Sequence, residues 1–247
     1  MIVITGMHRS GTSCVAGLLA RCGLSLGTTH PLLNESRFDN EMGHFENKTV
    51  IAINEVILQR AGGTWYNPSS PESILEAGAA LVPSITHFTH RFDGRLVKDP
   101  RLCITMPIWE RSCFALEGIV FCLRNPMAVA ESLARRDGFP IEVGLAMWFE
   151  YNRRFVLNVP SLPLAILDYD TIAEDLSEKV STALSRVGLE IFPREVEDRI
   201  GGFYNHRLNH NPGGGNRGAQ VPDAVWELYE VLRAKALRPA SHTLTAA

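Results

Sequence analysis

The sequence predicts an α/β fold of three layers, in which a parallel β-sheet is flanked by helices on both faces. Three observations support this prediction. Ile2–Thr5 is a short apolar run that leads into a loop with glycines at positions 6 and 11. The run 118–123 is apolar along its whole length, which is typical of a parallel strand buried on both sides. Apolar runs of this kind alternate with helical patterns, and such alternation indicates crossover connections and a parallel sheet.

The elements before residue 100 follow from periodicity and from turn signals. Apolar residues at helical spacing after the loop predict a helix that ends near Gly23. The polar stretch 25–44 shows no period, so we expect a long irregular lip beside a site. Residues 46–59 predict a second helix, and residues 71–91 predict a third that is interrupted or kinked at Pro83. Residues 95–100 predict a short strand that ends at a proline.

The second half of the chain continues the alternation. Pro126 suits the first position of a helix that reaches about residue 137, and 141–158 predicts another helix. A strand over 163–169 is followed by a helix over 171–187. The glycine-rich stretch within 201–220 predicts a flexible loop, and 223–237 predicts the last helix. We therefore expect one domain over 1–238 and a disordered tail over 239–247.

Composition restricts the classes of function. Hydrophobic residues make up 45% of the 247 residues, and the formal net charge is −3. This charge argues against a general nucleic-acid surface, so an anion site would be local and made by a few residues. Neither a membrane span nor a signal peptide is predicted, so we expect a cytoplasmic protein. The five cysteines lack metal-binding spacing and are expected to be buried, and no metal site is predicted.

The loop after the first strand has the features of an anion site. It reads Gly6-Met-His-Arg-Ser-Gly-Thr-Ser13, and a P-loop of similar form holds phosphates with backbone N–H groups and a lysine. Thr12 stands where that lysine would be, whereas Arg9 supplies a cation inside the loop. The pattern therefore indicates an anion other than a β- and γ-phosphate pair. A tight strand-to-helix turn that needs two glycines is the alternative interpretation.

A second motif begins where the buried strand over 118–123 ends. Arg124 follows this strand, and its guanidinium can bind a phosphate through two hydrogen bonds. Ser132 lies eight residues further on, in the predicted helix, and can reach the same anion from the side. Taken alone, the motif is also compatible with an ion-paired arginine and an exposed serine.

Together, the two motifs resemble those of sulfotransferases that use 3′-phosphoadenosine 5′-phosphosulfate (PAPS). The resemblance implies a P-loop-like sulfotransferase fold, a loop that holds the 5′-phosphosulfate, and a 3′-phosphate site at Arg124 and Ser132. An arginine at position 9 is closer to the carbohydrate and tyrosylprotein branches than to the cytosolic small-molecule branch. The loop residues that the resemblance assigns to PAPS are His8, Arg9, Ser10, Gly11, Thr12 and Ser13.

Further residues resemble the tyrosylprotein branch at positions that carry catalysis. Lys98 matches the lysine that helps to stabilise the transferring sulfuryl group, and Arg9 is expected to share this role. Glu46 matches the position of the catalytic base, and His44 is the alternative base by analogy with the small-molecule branch. A further alternative is that Glu46 is only a first-turn carboxylate favoured by the helix dipole.

The chain departs from the family pattern in two places. Ala128 stands where the family often has aspartate, and the basic C-terminal element that closes over PAPS has no clear match. Arg207 and Arg217 are the candidates for that element, together with His210.

The resemblance thus implies an enzyme that transfers a sulfuryl group from PAPS to a hydroxyl of a carbohydrate, tyrosyl or small-metabolite acceptor, without a metal. Two alternatives come from other classes. A P-loop nucleotide kinase would be expected to carry a lysine where Thr12 stands. A non-catalytic nucleotide-binding module would not need Glu46 and Lys98.

Overall fold

The structure of the chain is a computed structural model, and it describes residues 1–33, 43–113, 115–201, 203 and 221–237. In chain order, its elements are β1 (Ile2–Thr5), α1 (Thr12–Arg21), β2 (Leu32–Leu33), β3 (Glu46–Asn47), α2 (Lys48–Arg60), α3 (Pro71–Ala79), α4 (Val82–Arg91), β4 (Leu96–Lys98), α5 (Leu102–Ser112), β5 (Gly118–Leu123), α6 (Pro126–Asp137), α7 (Ile141–Asn158), β6 (Leu164–Asp168), α8 (Leu176–Arg186), α9 (Pro193–Ile200) and α10 (Asp223–Ala234).

The main sheet has the order β4-β1-β5-β6 among the described strands. All three neighbouring pairs are parallel, so the carboxyl ends of the strands lie along one edge. Ile4 is in register with Lys98 on one side and with Val120 on the other. The predicted α/β fold with a parallel sheet is confirmed, and each of the four main strands overlaps a predicted one.

Alternating side chains of the sheet enter two separate cores, because successive residues of a strand face opposite sides. Val3 lies in a core with helices α2 to α7 and α10. Ile2 and Ile4 lie in a second core with helices α1, α8 and α9. Helices therefore cover both faces of the sheet, which gives the three predicted layers. Residues 118–123 are apolar throughout because all of them are buried.

The prediction that a helix begins at Glu46 was wrong. Glu46 and Asn47 form strand β3, in which Glu46 pairs with Leu33 of β2 in antiparallel register. Helix α2 begins at Lys48, because the Asn47 side chain accepts hydrogen bonds from the backbone N–H groups of Thr49 and Val50. The carboxylate of Glu46 therefore lies outside the first helical turn.

Two other predicted helices differ from the observed ones. Residues 71–91 form the separate helices α3 and α4, so the segment is interrupted, but between Ala79 and Val82 instead of at Pro83. Pro83 lies in the first turn of α4, where its missing N–H is tolerated. Helix α8 begins at Leu176 instead of residue 171, because Tyr169–Thr171 form a 3-10 turn. The side chain of Asp168 caps this turn by accepting a hydrogen bond from the Asp170 N–H.

Two of the described helices were not predicted. Helix α5 has Pro107 in its interior, and proline removes a backbone hydrogen-bond donor, so its sequence argues against a helix. Burial of most of its residues, among them Trp109, outweighs this preference. Helix α9 is rich in charged residues and buries only Val196 and Ile200, so its apolar stripe is too narrow to give a periodic signal.

Several predictions concern segments outside the described residues. They include residues 34–42 of the irregular lip, most of the loop over 201–220, and the tail over 239–247. Arg207 and Arg217 also lie outside them. Of the helices that the structure describes, none combines the length and the apolar character required to cross a membrane.

Candidate active site

The loop between β1 and α1 follows a path that depends on two glycines. Gly6 and Gly11 have φ angles of 145° and 82°, a region that side chains rarely adopt. A Cβ at Gly6 would overlap the carbonyl of Cys122, and a Cβ at Gly11 would overlap the ring of Tyr169. The loop thus lies directly against the ends of β5 and β6. Helix α1 begins at Thr12 with no acidic residue in its first turn, so its N-terminus presents a partial positive charge.

Arg9 connects this loop to the second motif. Its φ angle of 69° is left-handed, which is uncommon for a residue other than glycine. The carbonyl oxygen of Arg9 accepts a hydrogen bond from Nη1 of Arg124 at 2.9 Å. The Nε of Arg9 donates a hydrogen bond to Oγ of Ser132, also at 2.9 Å. The structure therefore brings together residues that are far apart in the chain, since Arg124 and Ser132 follow Arg9 by 115 and 123 positions.

Arg124 is also held by residues at the end of β6. Its Nε lies 3.8 Å from Oδ1 of Asp170, and its guanidinium carbon lies 5.3 Å from the centre of the Tyr169 ring. Asp170 accepts a second contact, a hydrogen bond from the backbone N–H of Asn125 at 2.6 Å. Burial, with the nearby charge of Asp168, raises the pKa of Asp170 to about 6. Sequence reasoning did not assign Asp170 to the site.

Glu46 and Lys98 form a buried ion pair. Nζ of Lys98 donates a hydrogen bond to Oε1 of Glu46 at 2.6 Å. The side chain of Lys98 is 2% exposed and that of Glu46 is 10% exposed. Lys98 ends β4, next to the strand that enters the loop. On the other side, Oγ of Ser13 donates to the carbonyl oxygen of His44 at 3.4 Å. Phe45, between His44 and Glu46, has a left-handed φ of 55°. Strand β3 therefore brings the predicted base to the loop.

A polar network next to Lys98 was not predicted. Asp99 is fully buried and accepts hydrogen bonds from Nδ2 of Asn54 at 2.9 Å and from Nη1 of Arg101 at 3.0 Å. Arg101 also pairs with Glu55 at 2.5 Å. Burial opposes the charged guanidinium, but the carboxylates of Asp99 and Glu55 outweigh it and raise the pKa of Arg101. Two consecutive charged residues, Lys98 and Asp99, at the end of a predicted strand were the sequence signal that could have indicated this network.

His8 is turned toward aromatic side chains. Its ring centre lies 4.6 Å from that of Trp65 and 5.8 Å from that of Tyr151. Its Nε2 atom is buried and has no hydrogen-bond partner among the described residues. Burial is the main cause that lowers the pKa of His8 well below its ordinary value, and four positive charges add to the effect: Arg101, Arg136, Lys98 and Arg9. The imidazole is therefore neutral near pH 7.

We predict that His8 makes the stability of the protein depend on acidity. An unfolded histidine takes up a proton near pH 6.5, whereas folded His8 remains neutral well below this value. Above pH 6.5, His8 is neutral in both states, and the free energy of unfolding is unaffected. As the pH falls below 6.5, the unfolded state takes up a proton that the folded state does not, so the free energy of unfolding decreases. The loss cannot exceed about 1.4 kcal/mol per pH unit, the limit for one proton. Urea titrations between pH 7 and pH 5 should show that the free energy of unfolding declines less for His8→Asn than for the wild type.

The exposed residue His87 provides the control for this prediction. The variant His87→Asn should keep the wild-type pH dependence. Equal pH dependence in His8→Asn and in the wild type would contradict a neutral imidazole in the folded state.

The remaining predicted residues have the following places. Ser10 is buried, and its N–H donates to the carbonyl oxygen of Met7 at 3.1 Å. Thr12, which stands where a P-loop would carry lysine, is also buried. Burial raises the pKa of Cys14, next in the helix after Ser13, to about 11, so this thiol stays protonated. Over the ranges that the structure describes, no three His, Cys, Asp or Glu side chains are grouped so that they could hold a metal ion.

Solved structures with a similar fold are sulfotransferase domains. The sulfotransferase domain of the Synechococcus PCC 7002 olefin synthase superposes with a TM-score of 0.60 at 15% identity, over 96% of this chain and 95% of that domain. The sulfotransferase domain from the curacin biosynthetic pathway gives 0.57 at 12% identity, over 96% and 98%. The chain has a sulfotransferase fold. No family model and no curated protein matches its sequence.

Proposed function

We propose that the protein transfers a sulfuryl group from PAPS to a hydroxyl group of an acceptor. The observation that carries the proposal is the position of Arg9, which hydrogen-bonds both Arg124 and Ser132 at 2.9 Å. These contacts join the glycine loop to the second motif. The buried pair of Glu46 and Lys98 then supplies a base and a cation close to the same loop.

The residues around the loop fit a compound with two phosphate-type groups. The N–H groups at the start of α1, together with Arg9, are suited to a 5′-phosphosulfate. Arg124 and Ser132 are suited to a 3′-phosphate, because a buried guanidinium forms strong charge-assisted hydrogen bonds to phosphate.

In this proposal, Glu46 accepts the hydroxyl proton of the acceptor on a carboxylate oxygen. Lys98 and Arg9 present positive charge to the oxygens on which negative charge develops. When bound, PAPS supplies an activated sulfuryl group, whose bond to the phosphate oxygen breaks as a bond to the acceptor oxygen forms. The products are the sulfated acceptor and adenosine 3′,5′-bisphosphate. His44 is the alternative base.

Two observations favour this function over the alternatives. A nucleotide kinase needs a cation near the outer phosphates, and the buried Thr12 occupies the place of the P-loop lysine. A binding module without catalysis has no use for the ion pair of Glu46 and Lys98. Burying two charges is costly and contributes little to stability, so such a pair favours a chemical role.

Binding of adenosine 3′,5′-bisphosphate tests the proposal. Without magnesium, and at a hundred times its dissociation constant, it should stabilise the fold by about 2.7 kcal/mol, which corresponds to a rise in melting temperature of about 5 to 11 °C. ATP with magnesium at the same concentration should give a much smaller shift. A larger shift with magnesium ATP would favour a kinase instead.

We predict that Arg124→Gln weakens the binding of adenosine 3′,5′-bisphosphate by about 2 kcal/mol, or about thirtyfold, because a charge-assisted contact to the 3′-phosphate is lost. Calorimetric titration should show no such change for adenosine 5′-phosphate, which lacks the 3′-phosphate. The variant Arg153→Gln, which removes an arginine from an exposed ion pair with Glu150, is the control and should keep bisphosphate binding. Equal weakening for both nucleotides would mean that Arg124 supports the loop as a whole.

A further inference from the structure

An aromatic surface adjoins the loop at His8. The ring centre of Trp65 lies 4.6 Å from that of His8, 5.5 Å from that of Tyr66 and 6.0 Å from that of Phe139. Tyr66 and Phe139 are 5.7 Å apart, so Trp65, Tyr66 and Phe139 form one cluster, which we name the aromatic wall. Tyr66 is 45% exposed, and the other two are partly exposed. The aromatic wall is therefore accessible to a ligand.

Contacts with helices α6 and α7 hold the aromatic wall in place. The hydroxyl of Tyr151 donates to the carbonyl oxygen of Trp65 at 2.6 Å. Nη2 of Arg154 donates to the carbonyl oxygen of Ser69 at 2.5 Å, in the same connection between α2 and α3. The guanidinium carbon of Arg136 lies 5.7 Å from the Trp65 ring centre. A surface fixed in this way loses little conformational entropy when it binds a ligand.

His8 links the aromatic wall to the residues of the proposed transfer. His8 precedes Arg9 in the loop, and its ring contacts that of Trp65. Its buried Nε2 lacks a hydrogen-bond partner among the described residues, and buried polar atoms of folded proteins nearly always have one. An oxygen atom of a ligand on the aromatic wall would supply this partner.

On the basis of the proposed function, we infer that His8 and the aromatic wall form the acceptor site, and that the acceptor is an aromatic hydroxyl compound. Its ring stacks on the wall, and the neutral imidazole donates from Nε2 to its oxygen. The nearby cations favour a hydroxyl that ionises readily, as a phenol does near pH 10. A sugar presents several hydroxyls that each require a hydrogen-bond partner, whereas the aromatic wall offers apolar ring faces, and three carboxylates beside the loop are already paired with cations: Glu46, Glu55 and Asp99.

Binding of 2-naphthol to the protein saturated with adenosine 3′,5′-bisphosphate tests the aromatic wall. Calorimetric titration should show that Trp65→Leu and Phe139→Leu each lower the affinity for 2-naphthol by about tenfold, because a stacking surface is lost. Phe192→Leu is the control, since Phe192 is 81% exposed and precedes α9. Methyl β-D-glucoside should not bind. Binding of the glucoside but not of 2-naphthol, or unchanged affinity in Trp65→Leu, would overturn the inference.

The role of His8 is tested by a ratio of affinities. The wild type should bind 2-naphthol more tightly than naphthalene, and His8→Phe should reduce this preference by about fivefold to tenfold, because one hydrogen bond is lost. If His8 had only a structural role, the substitution would weaken the binding of both ligands equally and leave the ratio of affinities unchanged. That result would contradict the assignment. If His8→Phe does not fold, His8→Leu provides the same ratio.

Bisphosphate binding, measured first, separates the two hypotheses. A wild-type protein that does not bind adenosine 3′,5′-bisphosphate refutes the proposed function. A protein that binds the bisphosphate but not 2-naphthol refutes only the acceptor assignment.

Discussion

Glu46→Gln should lower turnover by about 10² to 10⁴ while the affinity for adenosine 3′,5′-bisphosphate stays near that of the wild type. The glutamine has the same shape and keeps an oxygen that can accept the 2.6 Å hydrogen bond from Lys98. Only the basic oxygen that would take the acceptor proton is removed. Turnover is to be measured with an acceptor found by screening phenols, tyrosyl peptides and sugars for sulfation.

His44→Gln is the matched control, because His44 lies two residues away and its carbonyl contacts the same loop. It should reduce turnover much less than Glu46→Gln. Near-normal turnover in Glu46→Gln, together with an inactive His44→Gln, would identify His44 as the base. Loss of bisphosphate binding in Glu46→Gln would mean that the carboxylate organises the loop, and that another residue must be the base.

Lys98→Met should reduce both stability and turnover. The substitution leaves the carboxylate of Glu46 buried without its ammonium partner, and the loss of one member of a buried pair costs about 3 to 5 kcal/mol. Turnover of the folded fraction should also fall, because a cation near the reacting oxygens is removed. Urea titration measures the first effect, and sulfation at a temperature where the variant is folded measures the second.

Two controls isolate the effect of the unpaired charge. The double variant Lys98→Met with Glu46→Gln should recover most of the lost stability, because no charge is then left buried. Arg153→Met removes a cation from an exposed pair with Glu150, in which Arg153 is 40% exposed, and should cost at most about 1 kcal/mol. If the double variant were as unstable as Lys98→Met, the loss would arise from packing around the lysine stem.

Much of the fold could be predicted because it follows from local patterns. The strands over 2–5 and 118–123 are buried along their whole length and are almost entirely apolar, since the sheet is covered on both faces. Helices α6 and α7 have the predicted bounds, because capping residues and prolines mark where they start. The pattern failed where burial outweighs a local preference, as in α5 with Pro107. It also failed at Glu46, where pairing with Leu33 delays the helix.

The motifs of the candidate site could be predicted from the sequence, but the contacts between them could not. The spacing of Arg124 and Ser132 pointed to a single anion, but only the fold shows that Arg9 lies between them. Asp170 was not assigned to the site, because its role depends on its distance from Arg124, which the sequence does not give. Arg101 escaped notice for the same reason, as its carboxylate partner Glu55 lies 46 positions away.

The sequence by itself determined the four strands of the main sheet, most of the helices, and the glycine loop with its arginine, because apolar runs, caps and turns act over a few residues. Only the tertiary structure decided that His8 is buried, which lowers its pKa, and that it lies between the loop and Trp65. It also decided that Lys98 meets Glu46 across 52 positions. Burial and charge interactions depend on distance in space, and residues far apart in the chain set them.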